Sequence, residues 1–292
     1  VNNSKTARKL LDRTIGIDPD VLLPRYHSKT LHKRDAARKP LATQVEKTGS
    51  TSGKVALFAT CYGEYNEPHI GEDLIRVYEH NNIPVILAEG TQCCGMPKLE
   101  LGDLDAVTAA KEKNIRALAA LVDEGWDIVT PVPSCTLMFK QELPLMFPQD
   151  ADVQKVKNAM FDPFEYLMLR HRENKLKTDF KNPLGKIAYH VACHQRVQNI
   201  GLKTRDVLQL VQDTEVVPIE RCSGHDGTYT VKSEFHEMAM KICRPVVNKV
   251  KQAEPDHYTS DCAMAAHHIE SGLADGSKPE HPISLIRRAY GI

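Results

Sequence analysis

The sequence predicts an α/β protein made of two pseudo-symmetric βαβαβα units, each built on a parallel sheet. Short apolar runs alternate with segments of helical spacing, which is the pattern of strands and crossover helices in such a sheet. The order of these segments, with cysteines between them, occurs twice within 292 residues. Because ligand sites of open parallel sheets lie beyond the carboxyl ends of the strands, we expect a metal site there in each unit.

The first unit is assigned to residues 54–150. Apolar runs at 54–60, 83–88 and 128–132 predict its three strands, and residues 71–80 and 105–123 predict amphipathic helices between them. Residues 136–147 predict a third helix, broken at Pro144 because proline has no backbone N–H to donate.

The second unit, residues 186–292, repeats this order. Strands are predicted at 186–191, 215–219 and 257–259, and helices at 204–212, 233–251 and 263–270, with Gly272 as a helix stop. Residues 151–185 are assigned to a connecting helical segment, with its helix at 161–169.

Residues 1–53 form a basic N-terminal extension or connector. Their first fifty positions hold eleven Lys or Arg against five Asp or Glu. A solvated connector is the simpler interpretation, and docking on an acidic partner domain is the alternative.

Seven cysteines follow predicted strands in two similar sets. The first set is Cys61, Cys93-Cys94 and Cys135, and the second is Cys193, Cys222 and Cys262. The intervals from first to second member are 32 and 29 positions (61 to 93, 193 to 222), and those to the last member are 41 and 40 (94 to 135, 222 to 262). Helix N-termini beside them would lower thiolate pKa values and balance an anionic centre.

Thiolates are soft ligands that select zinc or iron–sulfur clusters, and four of them do not choose between the two. Metal binding or redox chemistry explains eight clustered cysteines better than structural disulfides do. Three thiols at the second site need a further donor or an open coordination position. His194, His225 and Ser223 are the candidate metal ligands or supporting groups there.

Other polar residues near the motifs have simpler expected roles. We expect His190 to be a hydrogen-bonded core histidine, Cys243 to be a buried inert thiol, and at most one of His267 and His268 to face inward. Four cations near the motifs could be surface charges, or could neutralise a cluster or bind an anionic substrate: Lys98, Arg196, Arg221 and Lys232. Asp226 and Asp261 could cap helices, or could orient histidines or transfer protons.

Composition excludes several classes of protein. The formal net charge is zero, which argues against nucleic-acid binding, and no phosphate-binding loop or dinucleotide fingerprint occurs. No apolar run approaches the roughly 18 residues of a membrane span. We expect a cytoplasmic protein, with peripheral association with the inner membrane as an alternative.

The motifs resemble those of the CCG-domain (cysteine-rich domain) family, which includes the B subunit of heterodisulfide reductase and the C subunit of anaerobic glycerol-3-phosphate dehydrogenase. The resemblance is carried by Cys93-Cys94-Gly95 and by the segments at 133–138, 192–196, 220–224 and 260–262. It implies iron–sulfur clusters, most simply [4Fe–4S] at the first site, and iron–sulfur or a single iron or zinc ion at the second. The family pattern has a further cysteine where Met138, Ser223 and Ala265 stand here.

The resemblance also implies a function and partners. We expect a redox protein, an oxidoreductase or its electron-transfer subunit, that carries electrons from a flavoprotein or ferredoxin-type donor to a quinone, thiol or disulfide acceptor. A reductase with an open metal position at the second unit and a non-redox, zinc-stabilised interaction module are the alternatives. The chain begins with Val, and family members often carry a ferredoxin-like domain upstream, so we expect a fragment or a processed product.

Overall fold

A computed structural model describes residues 4–292; Val1, on which the expectation of a fragment rests, lies outside them. The fold is α/β with two sheets in which every strand pair is parallel, as predicted. The first sheet has the order β2-β1-β3-β4 and the second the order β6-β5-β7. The strands are β1 Val55–Leu57, β2 Val85–Leu87, β3 Asp127–Val129, β4 Met160–Phe161, β5 Gly185–His190, β6 Thr214–Ile219 and β7 His257–Ser260.

Helices cover both sheets. Before and within the first unit they are α1 Lys5–Ile15, α2 Leu31–Asp35, α3 Cys61–Tyr65, α4 Pro68–His80, α5 Met96–Glu100, α6 Leu104–Asp123, α7 Pro133–Leu137 and α8 Leu143–Met146. The later helices are α9 Ala151–Ala159, α10 Pro163–Arg172, α11 Cys193–Arg196, α12 Lys203–Leu208, α13 Ser233–Ala253, α14 Ala263–Leu273 and α15 Pro282–Tyr290.

One hydrophobic core joins the two sheets. Leu57 of β1 and Tyr189 of β5 are both fully buried and belong to the same cluster, with Tyr166 of α10 and Tyr290 of α15. Burying these rings removes a large apolar area from water and holds the two sheets together. The strand ends of the two units are therefore fixed relative to each other.

Several helix boundaries differ from the prediction: α12 ends at Leu208 rather than at 212, and α10 begins at Pro163, because residue 161 belongs to the strand β4. Pro144 does not break the helix at 136–147, because a π-helical turn, Met138–Glu142, precedes it and the helix continues as α8. Gly272 does not stop α14, which continues to Leu273 and ends at Ala274 in the left-handed conformation. A Cβ on Gly272 would lie 2.5 Å from Cγ2 of Val247, so this glycine permits close packing against α13.

Part of the basic N-terminal segment docks on its own chain. Arg34 pairs with Glu72 at 3.0 Å, and Arg38 pairs with Glu79 at 2.6 Å, so two cations of this segment contact α4. The Ser233 hydroxyl at the start of α13 donates to Asp12 of α1 at 2.5 Å. The segment thus touches both units. For Arg34 and Arg38, the acidic partners are therefore Glu72 and Glu79 of α4.

Candidate metal and ligand sites

The first cysteine set comes together at the carboxyl ends of β1, β2 and β3. Cys61 is the first residue of α3, Cys135 lies in the first turn of α7, and Cys93-Cys94 directly precede Gly95, the N-cap of α5. The thiol of Cys93 lies close enough to those of Cys61 and Cys94 for their pKa values to depend on one another, and the same holds for Cys94 and Cys135. Four thiols from three loops therefore meet in one place.

The backbone around this set is adapted to it. Gly95 has φ 97°, which an L side chain rarely adopts, and its N–H donates to the Cys93 sulfur. Thr60 also has a positive φ, 63°, and its hydroxyl accepts from Gly63 N–H at 2.9 Å to cap α3. Non-glycine residues in this conformation carry strain of order 1–3 kcal/mol and cluster at functional sites.

Asn114 of α6 fixes the Cys93 loop, a role that the sequence did not reveal. Its fully buried amide donates to the Cys93 carbonyl at 3.0 Å and accepts from Gln92 N–H at 2.8 Å. Polar residues on amphipathic helices are common, so no sequence signal separated this one from the rest.

The four thiols favour one negative charge at Cys93. Donation from the thiols of Cys61 and Cys94, with Gly95 N–H and nearby Lys98, lowers the pKa of Cys93 strongly. Donation to Cys93 and burial raise the pKa of Cys61. Because the thiolate is the form that binds metals, Cys93 is the thiol of this set that is most readily available as a metal ligand.

The four thiols are neighbours in a row, in the order Cys61, Cys93, Cys94 and Cys135. Within residues 4–292, no three His, Cys, Asp or Glu side chains surround a point that would hold a metal ion. The chemistry of the donors nevertheless fits a thiolate-binding group, because four neighbouring thiols and a helix N-terminus offer what such a group requires.

The second cysteine set lines a cavity of about 340 Å³ at the ends of β5, β6 and β7. Cys193 begins α11, Cys222 follows β6, and Cys262 is the N-cap of α14. His194, His225 and Ser223 line the same cavity, so the structure brings together all six residues predicted for this site.

Cys222-Ser223-Gly224 repeats the geometry of Cys93-Cys94-Gly95. Gly224 N–H lies 3.4 Å from the Cys222 sulfur, as Gly95 N–H donates to Cys93. Ser223 is 6% exposed and Cys94 is 3% exposed, so serine occupies the buried place of the missing thiol. Burial raises the pKa of Cys193, and it raises that of Cys262 to about 11.

Burial disfavours the charged form of the candidate ligands His194 and His225, which line the cavity together with His190. Burial lowers the pKa of His194, and burial with the nearby His268 lowers that of His225 to about 4. Nδ1 of His225 lies 3.4 Å from the Thr230 hydroxyl. Neutral imidazole is the form that binds metals, so both rings could donate a nitrogen.

The residues with simpler expected roles behave as predicted. His190 is buried, with Nδ1 3.0 Å from the Ser260 hydroxyl and Nε2 3.0 Å from the Arg221 carbonyl. Cys243 is fully buried among apolar side chains. Of the adjacent histidines, His268 is buried, whereas His267 is partly exposed and pairs with Glu67 and Glu270.

Four of the six charged candidates lie near the two cysteine sets, and the other two make hydrogen bonds elsewhere in the fold. Lys98 lies near Cys93, Arg196 lies near Cys193, and Arg221 and Asp226 line the cavity. Lys232 instead donates to the Ile15 carbonyl. Asp261 does not orient a histidine: it accepts from Tyr189 at 2.5 Å and Thr204 at 2.7 Å.

Five further residues line the cavity that were not identified from the sequence as part of this site. Met96, Pro97, Glu100, Pro133 and Ser134 belong to the first unit and line the site of the second. No pattern in the sequence indicates this, because the contact depends on how the units pack.

Fold and sites together define an α/β protein with two related thiol sets at strand ends. The chain matches the cysteine-rich domain (CCG) family over residues 55–140 and 187–269, and it belongs to that family. It is 28% identical over 291 residues to the C subunit of anaerobic glycerol-3-phosphate dehydrogenase from Escherichia coli (strain K12), a match that covers 98% of this chain and 70% of that protein.

Two further relatives match shorter parts of the chain. The B subunit of fumarate reductase (CoM/CoB) from Methanothermobacter marburgensis is 28% identical, over 78% of this chain and 44% of that protein. Lactate utilization protein A of Geobacillus kaustophilus is 27% identical, over 77% of this chain and 94% of that protein.

Proposed function

We propose that this protein is an iron–sulfur electron-transfer subunit of a dehydrogenase or reductase. The observation that carries the proposal is the contact of four thiols, Cys61, Cys93, Cys94 and Cys135, at three strand ends. A [4Fe–4S] cluster takes four cysteine thiolates. When bound, it supplies one-electron transfer, while the chain holds it and controls access to it.

The second site would hold a metal group through Cys193, Cys222 and Cys262. Its fourth position would be taken by His194 or His225, or would stay open toward the cavity, because Ser223 and Ala265 offer no thiolate. An open position supports the second candidate function, a reductase whose acceptor binds in this cavity.

The relatives suggest the partners. The names of two of them describe subunits of a dehydrogenase and a reductase, which favours a flavoprotein or ferredoxin-type donor and a quinone, thiol or disulfide acceptor. Within residues 4–292, no helix is long and apolar enough to cross a membrane. We propose a cytoplasmic protein, with peripheral association with the inner membrane as the alternative. The proposed unit boundaries lie at residues 54, 151 and 186.

Anaerobic purification followed by iron, zinc and acid-labile sulfide analysis tests this function. The expected result is iron and sulfide in comparable amounts, with a visible absorption band that bleaches with dithionite. Stoichiometric zinc without sulfide would instead support a zinc-stabilised interaction module.

A further inference from the structure

The cavity at the second site has apolar walls. Met96 and Pro97 of the first unit face Ala192, Met264 and Ala265 of the second. Its volume, about 340 Å³, lies at the lower end of the range for small-molecule sites, about 300–1,000 Å³. The site is incomplete without the first unit, so both units select what enters.

Two exposed carboxylates line this cavity. Glu100 ends α5 of the first unit, and Asp226 belongs to the loop after Cys222. A Cβ on Gly227 would lie 3.3 Å from Oε2 of Glu100, so the carboxylate reaches across to that loop. Partial burial and the charge of Asp226 raise the pKa of Glu100, which indicates that the two carboxylates repel each other.

The cavity offers little positive charge to balance them. Arg221 is the single Lys or Arg among its lining residues in the described chain. An anion in this cavity would face Glu100, Asp226 and any thiolates of Cys193, Cys222 and Cys262. Like charges repel one another, and salt screens this repulsion, so an anion is disfavoured most at low ionic strength.

We propose that the cavity admits an uncharged, partly apolar ring compound, and that Glu100 and Asp226 are specificity-determining residues that exclude anions. The inference rests on the proposed function, and among its acceptor classes it selects a quinone ring over anionic thiols and disulfides. The apolar walls bind the ring by burial, while the carboxylates repel anions.

Binding of a matched neutral and anionic probe tests the proposal. We choose 1-naphthol and 1-naphthalenesulfonate, because quinones themselves would alkylate the thiols. Titrations of the metal-loaded protein by calorimetry or ligand-observed NMR should give a dissociation constant at least about tenfold weaker for the sulfonate at low salt, and a smaller ratio at high salt.

Variants then assign the selectivity to residues. Glu100→Gln and Asp226→Asn should each improve sulfonate binding at least about threefold with little change for naphthol, whereas Glu124→Gln, an exposed carboxylate of the same unit, should change neither. Ala265→Met should weaken both probes by filling the cavity. Thermal melts check that each variant is folded.

Three results would overturn the inference: equal binding of the two probes, no binding of either, or a ratio unchanged in both carboxylate variants. These outcomes are distinct from failure of the proposed function. A chain without iron and sulfide defeats the function whatever the probes do, while equal probe binding by iron-loaded protein defeats the charge selection alone.

Discussion

Met138 and Ala265 occupy corresponding positions, three residues after the last cysteine of each unit. The Met138 side chain fills the space beside its cysteine set, whereas Ala265 leaves the corresponding space open. Met138 is fully buried, and its methyl group lies 3.5 Å from where a Cβ on Gly95 would stand. Ala265 is also buried but lines the open cavity. One unit therefore fills the space that the other leaves to a ligand.

Loss of a thiol from the first set should remove metal, whereas loss of a structural thiol should not. Cys94→Ser is expected to lower the iron per chain by about half, because metal and fold are coupled at such sites. Cys243→Ser is the matched control, since both thiols are buried. The measurement is iron and sulfide per chain after anaerobic purification. Equal iron in the two variants would contradict the assignment.

The second site should lose its metal before the first. Its three thiols and the open cavity give a chelator easier access, so the site left in Cys94→Ser should empty several times faster than the site left in Cys222→Ser. The measurement is the rate of absorbance loss under a chelator.

Histidine substitutions extend that comparison. His194→Ala or His225→Ala should speed the loss from the second site if either ring is a ligand, and the exposed His69→Ala should not. Equal rates from both sites, with no histidine effect, would mean that the second set does not bind metal as proposed.

Restoring a thiol at position 265 should tighten the second site. Ala265→Cys places a soft donor in the cavity wall beside Cys262, so metal retention under chelator should rise. Ala265→Ser serves as the control, because serine is similar in size to cysteine but its hydroxyl oxygen is a weaker ligand for a soft metal than a thiolate. If cysteine and serine behave alike, a fourth thiolate is not what this site lacks.

The pair of His267 and Glu67 should stabilise the protein in a pH-dependent way. Hydrogen bonds to Glu67 and Glu270 outweigh burial and raise the pKa of His267 above its ordinary value of 6.5. Its contribution is therefore complete below about pH 6.5 and is lost as pH rises through the raised pKa. The pKa of Glu67 is lowered from 4.5, so its contribution is complete above about pH 4.5.

His267→Gln should accordingly lower the free energy of unfolding most between about pH 4.5 and 6.5. Partial exposure of His267 screens the pair, so we expect an effect of about 1 kcal/mol or less. Denaturant unfolding at pH 6 and pH 9 measures it, and a difference that grows toward pH 9 would contradict the sign.

Close packing at Gly272 gives a prediction about the scaffold. Gly272→Ala should destabilise the protein by about 1–3 kcal/mol, because its Cβ would overlap the stiff Val247 side chain. Adding Val247→Ala should recover part of this loss. The free energies of unfolding of both single variants and the double variant give the coupling, and additive values would refute the overlap.

The sequence alone determined the fold class and both thiol sets. Short continuous apolar runs and amphipathic helices are local patterns, and cysteines placed just after strands are expected to meet where parallel strands end. Ser223 could be read as a missing thiolate because Cys93-Cys94-Gly95 and Cys222-Ser223-Gly224 repeat one motif, whereas for Ala265 only the resemblance to the family pattern implies one. The strand β4 was not predicted, since two residues show no periodicity. Helix α15 was also missed, although Pro282 at its first position, Gly291 after its end and its amphipathic face are recognisable in the sequence.

Only the tertiary structure decided what surrounds those thiols. Glu100, more than a hundred positions from Asp226, faces it because the shared core packs the units together. Asn114 supports the Cys93 loop through hydrogen bonds between distant segments. Local sequence fixes periodicity and motif spacing, whereas such contacts depend on packing between elements, which no spacing along the chain encodes.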